Sequence, residues 1–175
     1  AANGGIYLWK DGRSNFDTMT AVFDYGPLDD PTDGFQVVYS SRFTNSAGGT
    51  KEIYYSNGGE LNLKTNKVTP NGGLQERYSK AMDMKPNQLE SFSLSDLKTK
   101  VVTSANTGVD NTTSNHMLNW LECLRSRETT NAPVKVGYNH SIANIMTTAS
   151  LRTGLKATFD EANQEVLAGG KVFKY

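Results

Sequence analysis

The sequence predicts an α+β domain: a mostly antiparallel, open sheet of about six strands with two C-terminal helices packed on one face. Runs of β-branched and aromatic residues separated by turn formers fill the first two thirds of the chain. The last third carries two segments whose apolar residues recur at helical spacing. The chain has 175 residues, enough to bury a sizeable core, and is read as a single domain over 1–175.

The strands come first. "GIYLWK", "DTMTAVFDY", "FQVVYSSRF" and "KEIYYS" have strand composition, and "KDGR" and "GPLDDPTDG" separate the first three. Gly48-Gly49 and Gly58-Gly59 mark further hairpins, and "GELNLKTNKVTP" alternates at Leu61, Leu63 and Val68 around a "KTNK" turn, as a ribbon with one buried face does. Tyr, Phe and Val stand at both parities of "TAVFDY" and "FQVVYSS". Both faces of the sheet are therefore expected to carry apolar area, and the face the helices leave open is expected to be a subunit interface. From Asn71 to Asn111 the pattern weakens to a long, partly irregular excursion with one short strand or helical turn.

The helices follow. Met117, Trp120, Leu121 and Leu124 fall at i, i+3, i+4 and i+7 after the capping-type residues "TTSN". Ile142, Ile145, Met146 and Ala149 repeat that spacing, and Gly154 sits where a helix C-terminal glycine belongs. Arg125 and the "SRE" after it read as a solvated helix end.

Composition narrows the partners. Lys plus Arg equals Asp plus Glu at 18 each, without the basic excess that binding a phosphate backbone needs, so no nucleic acid is expected. No apolar run has the length of a membrane span, and "AANGGIYLWKDGR" lacks the features of a signal peptide. The polypeptide is read as having no membrane partner, and as soluble or already without whatever preceded Ala1. The lone Cys123 has no cysteine to pair with inside the chain and is read as a small packed hydrophobe.

No glycine-rich dinucleotide fingerprint, phosphate loop, metalloprotease motif or nucleophile elbow occurs, so no catalytic residue, cofactor site or metal site is assigned within the chain. Two places remain. His116 and His140 are each read in the first turn of a helix, where the positive end of the macrodipole favours a neutral imidazole. Such a group suits a sugar hydroxyl or a structural contact equally. In "GGIYLWKDGRSNFDT", Tyr7 and Trp9 offer aromatic platforms and Lys10 and Arg13 cationic donors, against the plainer reading of an aromatic strand ending in a turn. Tyr7, Lys10, Arg13, Tyr138 and His140 are the substrate-side candidates.

The segments "GGIYLWKDGRSNFDTMTAVFDYG", "SSRFTNSAGGTKEIYYSNGGELNL", "HMLNWLECLRSRETTNAPVKVGYNHSIANIMTTASLRTGLKATFD" and "GGKVFKY" together resemble, in order and spacing over nearly the whole chain, the C-terminal domain of Gfo/Idh/MocA oxidoreductases in the form common among Bacteroidetes. The resemblance implies a parent with an N-terminal Rossmann domain binding NAD or NADP. The C-terminal α+β domain would supply an open sheet for oligomerisation and part of a pocket for a sugar or polyol. This chain resembles only that second part, so the missing Rossmann domain, a second copy and a sugar-like small molecule are the implied partners, and the chain is expected to be inactive alone. Lys85, in "DMKP", does not match the family's catalytic lysine, nor His116 or His140 its proton-transfer histidine. The parent reaction is left open between dehydrogenation, reduction and redox-assisted glycoside cleavage, and its location between bacterial cytoplasm and periplasm. A free-standing carbohydrate-binding module and a purely structural dimerisation domain are the competing readings.

Overall fold

A computed structural model describes residues 1–30, 32–86, 89–94 and 111–174. The α+β class holds. In place of one six-stranded sheet, the described residues form three antiparallel sheets, two of three strands and one of four. The chain divides into two compact units, one of residues 1–47 with 127–175 and the other of residues 48–126.

In the first unit, β1 (Ala2–Gly5), β2 (Thr18–Tyr25) and β3 (Phe35–Arg42) form the first sheet. "GIYLWK" is not the expected strand: β1 ends at Gly5, because the main-chain N–H groups of Tyr7, Leu8 and Trp9 turn to the carboxylate of Asp17 in place of a neighbouring strand. In β2 and β3 the two faces differ more than their composition suggested. Across the ladder, Ala21 faces Tyr39, Phe23 faces Val37 and Tyr25 faces Phe35, so these six side chains share one face. The opposite face carries polar cross-strand bonds, Thr20 to Ser40 at 3.1 Å and Gln36 to Asp24 at 2.9 Å, with Val22 and Val38 paired between them. Apolar area is thus concentrated on one face. There Ala21 is buried, while Phe35 and Tyr39 stay 66% and 49% exposed.

The helix α3 (Val134–Thr153) packs on β8 (Ala157–Asp160), β9 (Glu165–Ala168) and β1. It follows Pro133, which is extended, and ends at Gly154 with φ 70°, whose N–H reaches the Ser150 carbonyl at 2.8 Å. Its expected stripe is the core-facing one. Ala149 is fully buried with Ala157, Val166 and Ala168, and Ile145, Met146, Phe159 and Phe173 pack around them. The strands β8, β9 and β10 (Lys171–Val172) were not among the expected ones.

One buried hydrogen bond fastens the sheet to this helix: the Ala2 N–H donates to Ser150 Oγ at 2.8 Å. Ser150→Ala removes the acceptor and leaves that N–H without one. Urea denaturation is expected to show a loss of about 1–2 kcal/mol, the cost of a stranded buried donor.

In the second unit, β4 (Ile53–Ser56), β5 (Gly59–Asn62), β6 (Lys67–Thr69) and β7 (Phe92–Ser93) form a meander. The ribbon around "KTNK" is present, with Leu61 opposite Val68 and both Leu63 and Val68 buried. The excursion contains α1 (Glu76–Ala81) and β7, and its residues 95–110 lie outside the described ones. The helix α2 (Asn111–Ser126) starts earlier than expected and absorbs "TTSN". Cys123 is buried, but Met117, Trp120, Leu121 and Leu124 are all exposed. The expectation of two helices covering one sheet face therefore holds for α3 alone. Among the described residues, no helix is long and apolar enough to cross a membrane.

Candidate functional site

Between β1 and β2 the chain makes a loop organised by one carboxylate. Asp17 is 1% exposed and accepts main-chain N–H bonds from Tyr7 at 3.1 Å, Leu8 at 2.9 Å and Trp9 at 3.0 Å. Burial pushes its pKa up, but the N–H donors of Trp9, Tyr7 and Leu8 and the Thr18 hydroxyl outweigh that and hold it down at about 2. Asp17 is thus a fixed anion at neutral pH, satisfied entirely from within. With their main chain committed inward, Tyr7, Leu8 and Trp9 keep exposed side chains.

The polar groups of this loop are also engaged. Trp9 Nε1–H donates to the Phe43 carbonyl at 3.3 Å, which fixes the indole, and the Arg13 guanidinium lies 5.4 Å from the centre of the Trp9 ring. Asp11 grips Arg13 through Nε at 2.8 Å and Nη2 at 2.6 Å. That hydrogen bond is the main cause that holds Asp11 down at about 2 and raises Arg13. Lys10 Nζ donates to the Ile6 carbonyl. The two cations therefore brace the loop, and what it presents outward is a held aromatic surface.

The remaining candidates lie on α3. The Tyr138 hydroxyl donates to the side-chain oxygen of Gln164, in the turn between β8 and β9. His140 lines a cleft of about 580 Å³ within the first unit, together with Asp24, Tyr25, Asn139, Met146 and Phe159. The structure therefore brings Tyr7, Lys10 and Arg13 together on one loop, places His140 in the cleft, and commits Tyr138 to a neighbouring turn. The macrodipole argument for the histidines does not survive. With α3 starting at Val134 and α2 at Asn111, both histidines stand beyond the first turn, where that field has fallen off.

Sequence reasoning missed Asp17, which organises the loop, and Asp24, which lines the cleft. Asp17 carried no local signal: its donors lie eight to ten residues away. Compared with protein-family models, curated proteins and solved structures, the chain matches none.

Proposed function

We propose that this chain is the C-terminal, substrate-side and oligomerisation domain of an NAD(P)-dependent sugar or polyol oxidoreductase of the Gfo/Idh/MocA type, inactive on its own. The observation that carries the reading is the aromatic loop. The segment "GGIYLWKDGRSNFDT", which contributes to the resemblance, is the one whose main chain is locked on Asp17 and whose Tyr7 and Trp9 rings are presented to solvent. A preorganised aromatic platform costs little entropy when a ring ligand stacks on it. The exposed row of Phe35, Val37 and Tyr39 on β3 supports the oligomerisation half of the proposal, because contiguous exposed apolar side chains usually mark a partner surface.

We assign the dinucleotide to the parent's missing Rossmann domain and not to the described residues of this chain. A Rossmann site needs a parallel β-α-β unit with a glycine-rich turn at the helix start, and every strand pair among the described residues is antiparallel. The work left to this chain is shape and contact: Tyr7 and Trp9 against the substrate ring, with Arg13 over the Trp9 ring and Lys10 tied to the Ile6 carbonyl.

The test is titration of the purified chain with NAD, NADP and a panel of monosaccharides and polyols, followed by Trp9 fluorescence and calorimetry, with light scattering for its mass. Expected are no cofactor binding, a dimer or larger assembly, and weak saturable binding of at least one sugar that Tyr7→Ala reduces about tenfold or more. Cofactor binding in the micromolar range would overturn the reading. A monomer that binds sugar through Tyr7 would favour a free-standing carbohydrate-binding module.

A further inference from the structure

The triplet Asn-Gly-Gly occurs three times, at residues 3–5, 57–59 and 71–73. Each asparagine precedes a residue without a side chain, so in an unfolded chain the main-chain nitrogen that follows can reach the asparagine side chain equally well in all three. Attack by that nitrogen on the side-chain carbonyl closes a five-membered succinimide. It requires the nitrogen to lose its proton to solvent, and the Asn-Gly peptide to rotate until its nitrogen lies on the same side as the side chain. The fold treats the three triplets differently on both counts.

Asn3 and Gly4 lie in β1 opposite Thr20 and Met19, and the ladder keeps their main chain extended. Extended backbone turns the next nitrogen away from the preceding side chain. Asn57 and Gly58 make the turn between β4 and β5, and the peptide joining them is tied on both sides. The Asn57 carbonyl accepts the Leu74 N–H at 2.7 Å, and the Gly58 N–H donates to Ser56 Oγ at 3.2 Å. Gly58 is also buried, and its carbonyl accepts the Leu89 N–H at 3.2 Å. Asn71 and Gly72 have none of these restraints. They form an exposed turn after β6, which Gly73 closes by donating its N–H to the Pro70 carbonyl at 3.0 Å. Among the described residues, the Asn71 carbonyl and the Gly72 N–H take no hydrogen bond, and a Cβ built at Gly72 would meet nothing within 4 Å beyond its chain neighbours. The peptide between them is free to rotate and open to hydroxide.

We propose that Asn71 is a site of spontaneous deamidation. The Gly72 nitrogen bonds to Asn71 Cγ, its proton passes to solvent, and the side-chain nitrogen leaves as ammonia. Water then opens the succinimide at either carbonyl. One opening gives aspartate. The other gives isoaspartate, whose main chain runs through the former side chain and is one methylene longer. Water is the only co-reactant, and nothing is oxidised or reduced. Either product adds a negative charge to a chain whose net charge is zero. Isoaspartate also lengthens the turn that leads into α1, so the bond from Gly73 to Pro70 no longer closes it at its present spacing. The modification goes beyond the oxidoreductase reading and does not depend on it.

The experiment ages the full chain in mildly alkaline water enriched in heavy oxygen, folded in one sample and unfolded in guanidinium chloride in another. Trypsin digestion in ordinary water follows, so that only deamidation during ageing carries the label. Cleavage after Lys and Arg puts the triplets on separate peptides, "AANGGIYLWK", "EIYYSNGGELNLK" and "VTPNGGLQER", and mass spectrometry reads label uptake in each, with isoaspartate resolved from aspartate. In the folded chain Asn71 is expected to react at least about tenfold faster than Asn3 or Asn57, because those two react only when the ladder or the tied turn opens. In guanidinium chloride the three rates should converge. Equal rates in the folded chain, a lead by Asn3 or Asn57, or no label at Asn71 would overturn the proposal. The same ranking in the unfolded chain would overturn it as well, since flanking residues and not the fold would then set the rate.

Discussion

Asp17→Asn is expected to lower the melting temperature by roughly 5–8 °C and to release the aromatic loop. The side chain keeps its size, so the change is electronic. Two carboxylate oxygens that accept three N–H bonds become one oxygen and one amide, and the amide's own hydrogens then meet the N–H groups of Leu8 and Trp9, which both bond Oδ2. Those donors have no alternative partner in a strand, since β1 stops at Gly5. The loop should then sample open conformations, with the Trp9 emission shifted to longer wavelength as the indole leaves the Phe43 carbonyl.

The pH dependence fixes the cause. The folded pKa of Asp17 is held at about 2, below the roughly 3.9 of an unfolded aspartate. A depressed folded value means that the group stabilises the fold fully above the unfolded pKa and stops doing so as pH falls through the folded one. The difference in melting temperature between the natural chain and Asp17→Asn should therefore be constant above about pH 5 and shrink between about pH 4 and 2. Asp30 and Asp160 also have lowered values and contribute to acid unfolding, but they belong to other turns and cancel in the comparison. A difference that stays constant down to pH 2 would remove the buried anion from the explanation.

This carboxylate also marks where sequence reading stops. The strands β2, β3 and β4 and the β5–β6 hairpin were legible because their signals are local: alternation, β-branched residues and turn glycines within a few positions. "GIYLWK" carries the same composition and was read the same way, yet its N–H groups are claimed by a residue beyond the next turn. The stripe of α3 was legible from its period and its C-terminal glycine. The stripe of α2 has the same period and is exposed, and periodicity cannot say which stripe finds a partner. The five substrate-side candidates were chosen by chemical type. Type does not show that Arg13 is already held by Asp11, or that Tyr138 is spent on Gln164.

Gly34→Ala is expected to be the most damaging single substitution at the cleft's rim. Gly34 has φ 119°, in a region that L residues rarely adopt, and a Cβ there would lie 1.9 Å from the Tyr25 carbonyl oxygen and 2.9 Å from Gly26 Cα. Both are main-chain atoms and neither can rotate away. They form the neck where β2 leaves the sheet and β3 returns, and Gly26 meets the same limit from the other side, its Cβ falling 2.3 Å from the Asp33 carbonyl oxygen. Relief requires the neck to open, which separates the stacked rings of Tyr25 and Phe35, 4.9 Å apart, and shifts a wall of the cleft. The expected cost in urea denaturation is about 3 kcal/mol or more. Gly12→Ala is the control: its φ is 88°, but nothing lies within 4 Å of the added Cβ, so it carries the backbone strain without the collision and should cost about 1–2 kcal/mol. Equal losses at the two positions would mean that conformation alone matters at Gly34. A larger loss at Gly34 identifies the close approach of two main chains as what holds the rim of the cleft in place.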